Sequence, residues 1–191
     1  MSNRRRQQAP PRKMKEVFLI FCEGQTEEAY IDMLRRYFRA PIRIVSSIQG
    51  QSVSKHLIDE YKRSMQLNPS DRVSTFLMYD LDVAELLPRL QKCNAELLAS
   101  NPTIELWFLL HSADQRAAIA SRDMVHTLQQ SAPEWRNYHK GILTDKQTRL
   151  LQNNMPLAAK RAALLTDMAN PSSRIYLFVQ RLQAESNRQT S

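Results

Sequence analysis

The sequence predicts an α/β fold: a four-stranded parallel sheet flanked by helices, with a helical C-terminal extension. Two observations predict it. Short, nearly unbroken apolar runs at Val17–Cys22, Ile42–Val45 and Val73–Tyr79 suit strands covered on both faces. Stretches of helical periodicity separate them, and strand–helix alternation is the signature of a doubly wound parallel sheet.

Taken in order, VFLIFC (Val17–Cys22) opens the first strand, and Glu23 follows at its carboxyl end, where open α/β sheets build their sites. Gly24 allows a sharp turn. Gln25–Thr26–Glu27–Glu28 offers a cap and first-turn acids for a helix over Thr26–Arg39. In it Tyr30, Met33, Leu34, Tyr37 and Phe38 recur at helical spacing, and Pro41 stops it. Ile42–Val45 is a short strand and Ser46–Gly50 a loop. Ser52–Leu67 reads as a second helix, with Leu57, Ile58, Tyr61 and Met65 toward the core, ended by Asn68–Pro69–Ser70. Val73–Tyr79 is the third strand and delivers Asp80–Leu81–Asp82. Leu86–Lys92 is a short helix around Pro88, and Ala95–Ala99 a weaker strand.

Ser100–Asn101–Pro102 reads as a helix start with proline in the first turn. Thr103–His111 then follows as a buried helix, although periodicity alone fits a strand as well. Beyond it, Ser121–Ser131, Thr144–Asn153, Pro156–Asn170 and Arg174–Ala184 read as helices, Ser121 and Thr144 as caps, with no further strand. The expected organisation is a basic arm over 1–15, an α/β core over 16–112 and a helical cover over 113–191.

A chain of 191 residues suits one domain, and its net charge of +8 favours a polyanionic partner, most commonly nucleic acid. Part of that charge lies in SNRRRQQAPPRK, a polar, proline-containing arm expected to be disordered. It is either a solubilising tail or a phosphate-contacting arm. No apolar run approaches the roughly 20 residues of a membrane span, and no signal-peptide core follows Lys15, so a cytoplasmic location is expected. Cys22 and Cys93 make neither a disulfide framework nor a zinc site. With three glycines in the chain, neither GxGxxG nor GxxxxGK[ST] occurs, which disfavours Rossmann and P-loop nucleotide sites.

The chemistry-bearing residues are carboxylates. On extended backbone, residues two apart point to the same side, so Asp80 and Asp82 form either an exposed acid pair or a pair joined by a cation. Oxygen-only donors suit Mg²⁺ or Mn²⁺. If the first and third strands are neighbours, Glu23 converges on both aspartates. Glu105 is either a first-turn acid complementing the helix dipole or a further ligand. His111 is either a core histidine or a site residue, and Lys140 either a solvated lysine or a phosphate contact.

Cys22–Glu23–Gly24–Gln25–Thr26–Glu27 with Tyr30, then Asp80–Leu81–Asp82, then NPTIELWFLLH (Asn101–His111) together resemble the RloB-like family, itself similar to TOPRIM-fold proteins. Tyr138–His139–Lys140–Gly141 and Asn170–Pro171–Ser172–Ser173 also resemble family positions, so the likeness spans about 16–183. The resemblance implies a TOPRIM-like sheet with a Mg²⁺ site. Glu23 would be acid/base or ligand, Asp80 and Asp82 would hold the ion, and Glu105 would be an auxiliary ligand. His111 and Lys140 would contact the phosphate or transition state. It further implies a nuclease effector of anti-phage defence, held in check by or activated through an ATPase; a homo-oligomer is left open. The segment between Asp82 and Ser100 departs from the pattern: it is short, and only Glu85 could add a ligand there. Three functions follow: a metal-dependent phosphodiesterase on DNA or RNA, a catalytically silent nucleic-acid-binding subunit, or a phosphoryl-transfer enzyme on a small substrate.

Overall fold

The computed structural model describes residues 16–46, 53–65, 71–83 and 85–190. The expected basic arm, the loop after Ser46 and the Asn68–Pro69–Ser70 stop lie outside them. Strands β1 (Glu16–Cys22), β2 (Ile42–Ser46), β3 (Arg72–Met78) and β4 (Glu96–Leu97) form one all-parallel sheet in the order β2-β1-β3-β4. The central pair runs in register from Glu16↔Arg72 to Cys22↔Met78. Helices α1 (Gln25–Phe38), α2 (Lys55–Ser64) and α3 (Leu86–Leu90) connect these strands.

The pleat explains why the strands read as continuous apolar runs. Phe18, Ile20 and Cys22 of β1 face one layer, with Phe76 and Met78 of β3 beside them. Leu19, Phe21 and Leu77 face the other, which α2 and α3 cover through Ile58, Leu86 and Leu90. The first face carries α1 together with α4 (Ile104–Leu110), α5 (Ser121–Ser131), α6 (Asp145–Ala163) and α7 (Ile175–Thr190). The C-terminal helices therefore share one hydrophobic core with the sheet.

All seven residues of α4 are buried, which is why its sequence shows no amphipathic period and fits a strand equally well. It begins at Ile104 after Thr103, and Pro102 stands outside it. Ser100–Asn101 is not a helix start: it forms β5, paired antiparallel with β6 (Ser172–Ser173). The Ser100 and Ser173 hydroxyls meet at 2.9 Å inside that pair. β6 also corrects the expectation of no strand after His111; two polar residues carry no apolar pattern to reveal it.

The predicted break at Pro156 is absent, and α6 runs through it. Gln147, Leu151, Met155, Ala158 and Ala162 keep one buried face across the proline. That packing offsets the proline's cost of about 3 kcal/mol. Thr144 does cap α6, in a capping box with Gln147. Ser121 does not cap α5; Ala120 holds that position. Among the described residues, no helix is long and apolar enough to cross a membrane.

Phe178 of α7 sits 4.8 Å from the Phe76 ring and 5.7 Å from the Phe18 ring, beneath the sheet's centre. Phe178→Ala should remove about 3–5 kcal/mol of stability in urea denaturation, as for a fully buried core ring. A loss below about 1 kcal/mol would show that α7 is not part of the core.

Candidate active site

Parallel register brings the ends of β1 and β3 together. The Glu23 N–H donates to the Met78 carbonyl at 3.0 Å, and Glu23 Oε2 accepts the Asp80 N–H at 2.8 Å. Asp80 Oδ1 in turn accepts the N–H of Ile104, the first residue of α4, at 2.8 Å. Asp80 thus supplies from β3 the partner that a side-chain cap would otherwise give, since Thr103 makes no such bond. Glu23 and Asp80 line a cleft of about 300 Å³ with Gly24, Thr26, Glu27 and Lys140.

Glu27 was not singled out by the sequence beyond being a first-turn acid. In the structure it is only 5% exposed and belongs to the cleft. Its carboxylate turns back on the amino end of α1, toward its own N–H and that of Gly24. Burial pushes its pKa up to about 7 against those bonds, and the charges of Glu23 and Glu105 push the same way. No positive φ calls for glycine at position 24, whose backbone is extended; an added Cβ would stand 3.2 Å from Glu27 Oε2 and crowd that carboxylate. Burial likewise raises Asp80 well above the usual carboxylate range, helped by Glu27, Glu105 and Glu23 and opposed by the Ile104 N–H. Glu23 is raised by burial and the Asp82 charge, while the Asp80 N–H and Lys140 oppose the shift.

Glu105 is 0% exposed. Thr103 Oγ1 donates to its Oε2 at 2.6 Å, Tyr138 Oη donates to Oε1 at 2.9 Å, and Lys140 Nζ lies 3.5 Å from Oε1. It is both a first-turn acid and a neighbour of the cleft acids. Lys140 is 58% exposed at its side chain and brings a cation to the cleft from the C-terminal segment.

Three residues offered by the sequence are not brought to the cleft. Asp82 is exposed and does not line it, because the chain bends at Asp82 while buried Leu81 points inward. The Leu81 N–H to Ser100 carbonyl and Ser100 N–H to Tyr79 carbonyl bonds make a parallel bridge at Asp80, and the chain leaves that extended path only at the bend that begins with Asp82. Glu85, also exposed, stays outside the cleft. His111 follows the last residue of α4, six residues beyond Glu105 and so about 9 Å along the axis. It is a core histidine. Its Nδ1–H donates to the Trp107 carbonyl at 2.8 Å, and burial lowers its pKa to about 4. Nε2 is buried without a hydrogen bond. Among the described residues, no three Asp, Glu, His or Cys side chains are already gathered to hold a metal ion. Glu23 and Asp80 each spend one oxygen on a backbone N–H.

Half-buried carboxylates, Glu23 and Asp80, at the carboxyl edge of a parallel sheet, with buried Glu27 and Glu105 behind them and one lysine beside them, define an α/β protein with an acidic site at its strand ends. The family model described as RloB-like protein matches residues 18–182, and the chain belongs to that family. No curated protein and no solved structure gives a significant match.

The raised Glu27 pKa has a definite sign in stability. Between about 4.5 and about 7 the folded chain holds a proton that the unfolded chain has released, so Glu27 withdraws stability as pH rises through that window. His111 acts oppositely over roughly 4 to 6.5, adding stability as pH rises. Glu27→Gln isolates the first effect. Its melting temperature should gain on the wild type from pH 4.5 to pH 7.5 in EDTA, by the equivalent of up to about 3 kcal/mol. A gap that stays constant with pH would contradict the raised pKa.

Proposed function

We propose that this RloB-like protein is a divalent-metal-dependent nuclease of the TOPRIM type, hydrolysing phosphodiester bonds in DNA or RNA. The observation that carries the reading is that Glu23, Glu27 and Asp80 all line one cleft, with Glu105 and Lys140 beside it; their side chains would have to turn toward one ion to share it. Acids that raise one another's pKa out of water are an arrangement that an added cation relieves. The donors are carboxylate oxygens, the set that suits Mg²⁺ or Mn²⁺. Glu23, Glu27 and Asp80 would hold the ion, with Glu105 and Asp82 near enough to add charge. When bound, such an ion polarises a phosphoryl oxygen and lowers the pKa of a bound water.

The chain's own groups supply the rest. Glu23 Oε2 is committed to the Asp80 N–H, so its free Oε1 would serve the ion, beside which the attacking water would lie. The Lys140 ammonium is exposed enough to meet a non-bridging phosphate oxygen while its charge also faces Glu105. A net charge of +8 favours collecting a polyanionic backbone. Family resemblance supports a role in anti-phage defence with an ATPase partner.

The test is cleavage of plasmid DNA, single-stranded DNA and total tRNA with Mg²⁺ or Mn²⁺, with and without the ATPase and ATP. Wild-type protein should cut at least one, EDTA should stop it, and Glu23→Gln and Asp80→Asn should each lower the rate about 10²–10⁴-fold. Variants that cut at the wild-type rate would remove these acids from the mechanism. Salt-dependent binding without cutting in every arm would make this a binding subunit instead.

A further inference from the structure

The segment Tyr138–Gly141 lies between the short helical turn Pro133–Trp135 and α6, more than a hundred residues from α1, yet it closes over the cleft. It is fastened at both ends. At one end Tyr138 Oη donates to Glu105 Oε1 at 2.9 Å, and the Tyr138 carbonyl accepts from Gln129 Nε2 at 3.0 Å. At the other, the Gly141 N–H donates to Thr26 Oγ1 at 2.9 Å. Lys140 stands between these fastenings. Its side chain is long and mostly exposed, so the backbone on either side must define where its ammonium can reach.

Donor and acceptor roles around this segment are fixed. A backbone N–H can only donate, so Thr26 Oγ1 accepts from Gly141 and keeps its own proton to give. The Tyr138 oxygen beside Thr26 has given its proton to Glu105. The Tyr138 phenol thus points its proton at the Glu105 carboxylate, with the Thr26 hydroxyl beside the phenol oxygen. Gly141 fits the same scheme: its φ is +86°, and an added Cβ would come within 3.0 Å of Gln25 Oε1 and 3.2 Å of Gln25 Cβ. The segment presses closely on α1, and its positive φ is one that side chains other than glycine's adopt only with strain. Thr26 directly precedes Glu27, so this contact also ties the acid of α1 to the acid of α4.

We infer that Thr26 and Tyr138 are positioning residues: they clamp the 138–141 segment so that Glu105 and Lys140 keep a fixed place beside Glu27 and Asp80. Tyr138 is 1% exposed and does not itself reach substrate; it acts through Glu105. The inference rests on the nuclease reading for its catalytic consequence and on hydrogen-bond geometry alone for its effect on cation binding.

Two readouts test it, cleavage kinetics and Mn²⁺ affinity measured by electron paramagnetic resonance, on folded full-length protein verified by circular dichroism. Thr26→Val keeps the shape and removes the acceptor, Thr26→Ser keeps the hydroxyl, and Tyr138→Phe removes the donor. Thr26→Val and Tyr138→Phe should each lower kcat and Mn²⁺ affinity about 10–100-fold, as loss of a hydrogen bond supporting the surroundings of a metal site does. KM should stay within about twofold, and Thr26→Ser should stay near wild type. Wild-type kcat and affinity in Thr26→Val and Tyr138→Phe would overturn the inference while leaving the nuclease reading intact, provided Glu23→Gln remains inactive. A Thr26→Ser as weak as Thr26→Val would assign Thr26 to packing and overturn its role. If the wild type cuts nothing, the nuclease reading fails and Mn²⁺ affinity decides the inference: weakening in both variants upholds it, and unchanged or absent binding overturns it.

Discussion

The Asp80 carboxylate sits where β3 ends and α4 begins, accepting the Ile104 N–H while its own N–H serves Glu23. Those two bonds join the two central strands to the buried helix at one point. They also hold carboxylates together out of bulk water, which is unfavourable and raises the pKa of Glu23, Glu27 and Asp80. A fold that keeps such an arrangement must secure it elsewhere. The register of β1 on β3, the fully buried α4 and the aromatic packing beneath the sheet provide that security. The acids are not placed by a flexible loop: each comes from the end of a strand or the first turn of a helix whose backbone is fixed by its own pairing.

The C-terminal third has two tasks that are hard to separate. Phe178, Leu151 and Met155 share the core of the sheet's first face. Tyr138 and Lys140 reach the acids from the same region. The α/β part alone would leave Glu105 without its phenol donor and the cleft without its lysine. An unpaired buried carboxylate is far more costly than a satisfied one, so the cover supports the site as well as the core.

What could be read from the sequence follows from what each signal measures. Strands β1 and β3 were legible because burial on both faces leaves an unbroken apolar run, and Glu23 and Asp80 because an acid directly after such a run is conspicuous. Glu27 was hidden because an acid in the first turn of a helix already satisfies the dipole; only its 5% exposure sets it apart. Asp82 stands outside the cleft lining because the two-residue rule assumes extended backbone through it, whereas the chain bends at Asp82 just past the bridge at Asp80. His111 resolved to its core alternative because α4 is buried on every side. The continuity of α6 through Pro156 was invisible locally, since tertiary packing supplied what the proline removes. The family motifs fared better than local propensity: the family match over residues 18–182 covers nearly the span those motifs marked out.

The most direct test of the central claim, that these acids form a cation site, is an anomalous-difference map from crystals grown with Mn²⁺. The account predicts a peak in the cleft within bonding distance of Glu23, Glu27 and Asp80 oxygens, with the Glu23 and Asp80 side chains keeping their strand-end positions. A cleft without a peak at saturating Mn²⁺, its acids still paired only with Lys140 and backbone N–H groups, would contradict it.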